Sequence, residues 1–153
     1  MPAVDEQRSI VAGKTAFLIA RAIKEAAESQ CRYRVGAVLA NGNRIISAAA
    51  NSRRNSPTVD FRHATFHAEE AALRRVRQAA GSVAYIARVG ADGRPMMARP
   101  CSRCRRALYK AGIYKAFYTL NEEHVGFLEV TSDFESQFDP ILPVWKSAEN
   151  RMP

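Results

Sequence analysis

Cysteine is scarce in this sequence, with three residues among 153. Cys101 and Cys104 form a Cys-x-x-Cys pair and Cys31 stands alone, so the cysteines do not make the disulfide framework typical of small secreted domains. A chain of this length buries enough apolar surface in one core to fold without such crosslinks. We therefore expect a reducing, cytoplasmic environment.

Long hydrophobic runs are also missing. The sequence has no stretch of about 20 apolar residues and no apolar run after a basic start, so we expect neither membrane insertion nor secretion. It shows no internal repeat, low-complexity tract or linker. We predict a single domain over residues 1–153, with a core at about 10–130 and a C-terminal tail at 131–153.

Acidic residues are few in the middle of the chain. Residues 31–115 carry seventeen basic and four acidic side chains, a net charge of +13, whereas residues 116–153 carry two basic and seven acidic ones, a net charge of −5. An excess of positive charge favours an anionic partner such as a nucleotide or a polynucleotide. The alternative is that the arginines form a solvent-exposed surface that binds no anionic partner.

The apolar spacing predicts an alternation of helices and strands. We expect helices at 10–29, 66–79 and 101–111, strands at 33–39, 44–50, 83–89 and 114–120, and a short edge strand at 127–130. Asn41-Gly42 between the first two strands is a strong signal of a hairpin. The strand, helix, strand order over 83–120 predicts a parallel pair joined by a right-handed crossover.

The first helix is expected to pack on the sheet through one apolar face. Phe17, Ala20, Ile23 and Ala27 have the spacing of such a face. The long polar segment at 51–65 is expected to be a functional loop that leads into the second helix.

Two short motifs predict a metal site. They are His67-Ala68-Glu69 and Pro100-Cys101-Ser102-Arg103-Cys104. Cys101 and Cys104, three residues apart at a helix start, place their sulfurs on one face, and His67 completes three ligands. A structural zinc site normally closes its fourth position with another Cys or His, whereas a catalytic one leaves that position to water. We interpret the set as a catalytic zinc (Zn2+) site with Glu69 as the proton carrier.

Two alternatives compete with this interpretation. His63 lies four residues before His67 and could pair with it as a ligand at helical spacing. A zinc-stabilised binding module without catalysis is the other alternative, and chelation would then unfold the protein. In such a module Glu69 would have no evident role.

Taken together, the H-x-E and P-C-x-x-C motifs resemble those of the cytidine and deoxycytidylate deaminase superfamily, the zinc-dependent nucleobase deaminases that include tRNA adenosine and polynucleotide cytidine deaminases. The resemblance covers about residues 33–120. It implies an α/β fold, a three-layer αβα sandwich around a five-stranded mixed sheet. It also implies that His67, Cys101 and Cys104 bind zinc and that Glu69 is the general acid and base.

The same resemblance suggests a substrate-binding set. Ala68 would offer its backbone amide to the base carbonyl, and Asn51 would hydrogen-bond the substrate sugar, although Ser52 stands where the family usually has glycine. Pro100 and Arg99 directly precede the first cysteine. Arg99 is expected beside the pocket because residues 92–99 separate the preceding strand from the motif.

The expected function is hydrolytic deamination of cytosine to uracil in a nucleoside or nucleotide, with release of ammonia. The alternative substrate is cytosine or adenine in single-stranded DNA, RNA or tRNA, for which the basic segment would bind successive phosphates. Relatives often form dimers or tetramers, so the chain is a candidate homo-oligomer. Substrate choice is expected to depend on Arg99, the 51–65 loop and the tail.

Overall fold

The computed structural model describes residues 2–53, 65–136 and 139–143. The helices are α1 (Pro2–Ala27), α2 (Ala68–Arg74) and α3 (Ser102–Lys110). The strands are β1 (Arg34–Asn41), β2 (Arg44–Ala50), β3 (Ser52–Arg53), β4 (Thr65–Phe66), β5 (Val83–Val89), β6 (Pro95–Met96), β7 (Lys115–Thr119), β8 (His124–Glu129) and β9 (Ile141–Pro143). None of the helices in these ranges combines the length and the apolar character that a membrane span requires.

One mixed sheet of seven strands forms the centre of the fold. Its order is β2-β1-β5-β7-β8-β9, and β6 pairs with β5 beside this path. The strands β5 and β7 are parallel, as predicted, and their neighbours run antiparallel. The expected count of five strands was too low, because β6 and β9 span only two and three residues and carry no readable periodicity.

Helices cover both faces of the sheet and make three layers, which confirms the αβα sandwich. On one face, Leu18 and Ile19 of α1 pack against Val38, Tyr85 and Phe117. On the opposite face, small residues of α2 and Leu108 of α3 pack against the alternate side chains of the same strands. Successive side chains of β1 and β5 point to opposite faces of the sheet, so each strand contributes residues to both hydrophobic cores.

The buried face of α1 differs from the predicted one. Phe17 is 63% exposed, whereas Leu18, Ile19, Ala22 and Ala26 are fully buried. A Cβ atom on Gly36 of β1 would collide with the backbone of Ala22 and Ala26. The helix and the strand approach closely, so the face of α1 that carries alanines at this point is the one that packs on the sheet. The apolar periodicity of the sequence could not distinguish this face from the neighbouring one.

Two boundaries also differ from the sequence prediction. The helix expected at 66–79 ends at Arg74, because the amide of Arg75 bonds to the carbonyl of Ala72 and tightens the last turn. The strand expected at 127–130 spans His124–Glu129 and is not an edge, since β9 pairs with its outer side. The hairpin between β1 and β2 forms as predicted, with Gly42 at a φ of 63°.

Candidate metal centre and substrate cleft

His67 and Cys101 occupy equivalent positions at the starts of two helices. Each is an N-cap residue with an extended backbone, His67 for α2 and Cys101 for α3. Their carbonyl oxygens accept the first helical hydrogen bonds, from Ala71 and Arg105 respectively, each at 2.9 Å. Neither side chain forms a capping bond, so both side chains are free to point toward a shared ligand.

Three potential metal ligands converge between these helix starts. The ligand atoms of His67, Cys101 and Cys104 all lie within 4.8 Å of one another, and among the described residues they are the one such group. The Nδ1 atom of His67 is 3.0 Å from the sulfur of Cys104 and 3.8 Å from that of Cys101. Nitrogen and sulfur ligands around a tetrahedral zinc ion lie about 3.5–3.8 Å apart, so the distance from His67 to Cys101 matches zinc and the distance to Cys104 is shorter. One nitrogen and two sulfurs are also the types of donor that zinc prefers.

The electrostatics of the group favour a bound cation. Hydrogen bonds from Cys104 and His67 lower the pKa of Cys101 to about 3, so this thiol is a thiolate. The hydrogen bond between the two sulfurs raises the pKa of the buried Cys104, so that the pair shares one proton. A metal ion replaces such a proton, because the thiolate is the form that binds metals.

Glu69 lies one residue inside α2, next to the ligand group. Only 5% of it is exposed, and burial raises the pKa of its carboxyl above the ordinary value. A carboxyl with a raised pKa exchanges protons more readily near neutral pH. Its location and its protonation chemistry therefore suit a proton carrier.

The two helices that carry the group are held together by an ion pair. Glu70 of α2 accepts two hydrogen bonds from Arg103 of α3, at 3.0 and 2.9 Å. The guanidinium and carboxylate planes thus meet through two parallel bonds, which fixes their relative orientation. The ion pair limits sliding of one helix start past the other.

A cleft of about 390 Å³ opens beside the ligand group. Its volume is in the range of about 300–1,000 Å³ found for small-molecule sites. Six of the residues predicted for the site line it, namely His67, Glu69, Cys101, Asn51, Ala68 and Arg99. Pro100 and Cys104 are buried and are not among the lining residues. His63 and most of the 51–65 loop lie outside the described residues.

Asn51 ties together the elements that form one side of the cleft. Its Oδ1 accepts hydrogen bonds from the hydroxyl of Ser29, at 2.6 Å, and from the amide of Val35, at 3.0 Å. Its Nδ2 donates to the carbonyl oxygen of Tyr33, at 2.6 Å. Nδ2 carries two hydrogens, so one N–H of the carboxamide has no hydrogen-bond acceptor among the described residues.

Arg99 lines the cleft, but its charged end bonds to the C-terminal tail. Its Nε donates to Asp139 at 2.7 Å, and its terminal nitrogen donates to the carbonyl oxygen of Ser136. The carboxylate of Asp139 is 5% exposed and also accepts a hydrogen bond from Tyr118 at 2.6 Å. Arg99 therefore links the Pro-Cys motif to the tail, and its predicted contact with substrate stays a prediction.

Tyr33 and Arg88 are among the lining residues of the cleft that sequence reasoning missed. The guanidinium of Arg88 lies 4.8 Å from the centre of the Tyr33 ring. A signal was present, because Arg88 is the one charged residue in the apolar strand β5 and stands near its carboxyl end. A charge within a buried strand requires a partner or a function.

The fold and the ligand group define the class of the protein. A three-layer α/β sandwich with one histidine and two cysteines at converging helix starts is that of a zinc-dependent hydrolase of the deaminase type. The family model described as the cytidine and deoxycytidylate deaminase zinc-binding region matches residues 13–120. The chain belongs to this family, which confirms the resemblance, the zinc cofactor and the class of enzyme.

Solved structures support the same fold. The cytidine deaminase from Burkholderia pseudomallei is similar over 80% of this chain and 98% of its own, with 17% identity and a TM-score of 0.60. The dCMP deaminase from the cyanophage S-TIM5 in apo form is similar over 68% of this chain and 80% of its own, with 21% identity and a TM-score of 0.54. No curated protein sequence matches the chain significantly.

Proposed function

We propose that the protein hydrolyses the amino group of cytosine in a nucleoside or nucleotide, leaving uracil and releasing ammonia. The observation that carries this proposal is the convergence of His67, Cys101 and Cys104 within 4.8 Å beside the buried Glu69 and an open cleft. The similar solved structures are by name a cytidine deaminase and a dCMP deaminase.

In this proposal His67, Cys101 and Cys104 hold the zinc ion. Zinc bound by three protein ligands lowers the pKa of water to about 7 and so provides a nucleophile at neutral pH. Glu69 accepts a proton from the attacking water and delivers protons to the ring nitrogen and the leaving amine. The new C–O bond replaces the C–N bond, and the amine leaves as ammonia.

Two residues orient the substrate. The backbone amide of Ala68, which lines the cleft, donates to the carbonyl oxygen of the base. Asn51 offers its remaining N–H to the sugar while its other bonds keep the cleft wall in place. These contacts would hold the base with its amine-bearing carbon beside Glu69, and correct placement of reactants accounts for a large part of enzymatic rate enhancement.

The test is an ammonia-release assay on zinc-loaded protein with free bases, nucleosides, nucleotides and short single strands. The proposal predicts release from a nucleoside or nucleotide of cytosine. Release from single strands alone would favour the polynucleotide alternative, and release from adenine compounds alone would contradict the choice of base. A binding module would release ammonia from none of them.

We also propose a cytoplasmic location, which the three free cysteines support. Assembly into a homo-oligomer stays a prediction. Gel filtration with light scattering tests it, and a monomeric mass at working concentration would contradict it.

A further inference from the structure

Arg88 lines the cleft, and its side-chain N–H groups have no hydrogen-bond acceptor among the described residues. Its Nε atom is buried without a hydrogen-bond partner, and its guanidinium forms no ion pair with any residue in the described part of the chain. A buried N–H group without an acceptor is unfavourable, and a charged one more so. An acceptor supplied by a ligand would therefore be bound strongly here.

Tyr33 holds this guanidinium in place. Arg88 stacks on the Tyr33 ring from a distance of 4.8 Å, and Arg32 lies 5.7 Å from the same ring centre. The backbone of Tyr33 is in turn fixed by its hydrogen bond from Asn51. Stacking leaves the edge of a guanidinium, with its N–H groups, available to a planar or tetrahedral anion.

The charges in the cleft distinguish Arg88 from Arg99. Arg99 also lines the cleft, but the carboxylate of Asp139 neutralises it. Glu69 is the one carboxylate among the lining residues, and it is buried beside the metal ligands. No carboxylate or thiolate among the described lining residues pairs with Arg88, so its charge is available to attract an anionic group.

We propose that Arg88, held by Tyr33, binds the phosphate of a nucleoside monophosphate. This inference rests on the proposed function and narrows it, since the substrate becomes a mononucleotide and the nucleoside becomes a poor substrate. Arginine suits the task because its parallel N–H groups bind phosphate oxygens in pairs.

A mononucleotide fits the described surface better than a polynucleotide does. Binding a polymer requires a series of cationic side chains that contact successive phosphates. Three arginines of the basic segment instead have partners within the chain: Arg103 pairs with Glu70, Arg94 pairs with Glu122, and Arg105 is buried against the tail. These three arginines are thus bound within the chain itself and are not free to contact successive phosphates.

The experiment compares Arg88→Gln with Arg94→Gln, a matched control in which an exposed arginine outside the cleft loses the same charge. KM and kcat are measured for the mononucleotide and the nucleoside of cytosine. Because a hydrogen bond to a charged group contributes strongly, Arg88→Gln should raise KM for the nucleotide about 10- to 100-fold. Its kcat/KM for the nucleoside, which carries no phosphate, should fall far less than that for the nucleotide, and Arg94→Gln should alter neither substrate.

Arg88→Lys tests the positive charge of Arg88 separately from the planar guanidinium and its paired N–H groups. The lysine variant should recover part of the nucleotide affinity, because it keeps the charge and loses the paired N–H geometry. Equal losses for nucleotide and nucleoside in both Arg88 variants would overturn the proposal. A short single strand that is a better substrate than the mononucleotide would overturn it as well.

Calorimetric binding separates this inference from the proposed function. The uracil mononucleotide should bind the unchanged protein at least about 10-fold more tightly than uracil nucleoside, and Arg88→Gln should remove that difference. If no substrate releases ammonia, the proposed function fails while the phosphate preference still tests Arg88. If ammonia is released but the two ligands bind equally, the phosphate site fails alone.

Discussion

The ligand group and the tail latch both join distant segments, but by different means. We call His67, Cys101 and Cys104 the ligand group, and Arg99 with Asp139 and Tyr118 the tail latch. The ligand group joins two helix starts, and its side chains form no structural capping bonds. The latch joins the cleft wall to the C-terminal tail through an ion pair and a hydrogen bond that are mostly buried.

We therefore expect the ligand group to serve catalysis and the tail latch to stabilise the fold. His67 and Cys101 form no capping bonds, so changes there should appear mainly in zinc binding and catalysis. Buried pairs have no such freedom, because removing one partner leaves the other without compensation. Substitutions in the two regions should therefore affect different measurements.

The largest effect is expected at Glu69. Glu69→Gln should retain zinc and lower kcat by about 10²–10⁴-fold, because it removes the proton carrier without changing the shape of the side chain. The measurements are ammonia release and zinc content. Glu123→Gln, which changes an exposed glutamate outside the cleft, is the control and should keep the activity. Equal losses in the two variants would contradict the role of Glu69.

Removal of a ligand comes next. Cys104→Ser should weaken zinc binding by more than about 100-fold, beyond the loss seen for outer-shell partners, and activity should fall with zinc content. Competition with a chromogenic chelator measures the affinity. Cys31→Ser is the matched control, since Cys31 is a buried free thiol outside the ligand group. A full complement of zinc in Cys104→Ser would show that this cysteine is not a ligand.

The latch should affect stability more than chemistry. Asp139→Asn leaves the guanidinium of Arg99 without its carboxylate and should lower the free energy of unfolding by about 3 kcal/mol, as for other buried pairs. Urea unfolding of the zinc-loaded protein measures it. The more exposed pair of Glu70 and Arg103 provides the contrast, and Glu70→Gln should cost about 1 kcal/mol or less. Similar losses of unfolding free energy in Asp139→Asn and Glu70→Gln would mean that burial does not determine how much each ion pair stabilises the fold.

The smallest effect concerns Tyr118. Burial and the hydrogen bond to Asp139 raise the pKa of Tyr118 to about 12. Because the fold favours the neutral phenol, this contribution is complete below the unfolded pKa of about 10 and is lost as the pH rises toward 12. Tyr118→Phe should cost about 1 kcal/mol at neutral pH. The free energy of unfolding of this variant, measured by urea titration, should also fall less steeply between about pH 10 and 12. The same dependence on pH as in the unchanged protein would contradict the raised pKa of Tyr118.

The ligand group could be predicted from the sequence because its information is local. Each motif contains a helix start and its ligands within five residues, so the spacing alone sets the geometry. Only the meeting of the two motifs required the fold. The parallel pair β5 and β7, joined through α3, was also predictable, since a strand, helix, strand order admits few arrangements.

The cleft wall could not be predicted in the same way. Arg99 and Asp139 are forty residues apart, and the sequence places Arg99 beside the pocket without showing which partner it has. Arg88 and Tyr33 meet only because β1 and β5 pair. The buried face of α1 depended on the absence of a side chain at Gly36. Each of these features depends on contacts between distant residues, which periodicity does not encode.

The most direct test of the central claim is deamination of the cytosine mononucleotide in heavy-oxygen water. If the ligand group and Glu69 hydrolyse the amine, mass spectrometry should find one heavy oxygen in the uracil product for each ammonia released, and Glu69→Gln should produce neither. Ammonia without incorporated label, or no ammonia from zinc-loaded protein, would contradict the account.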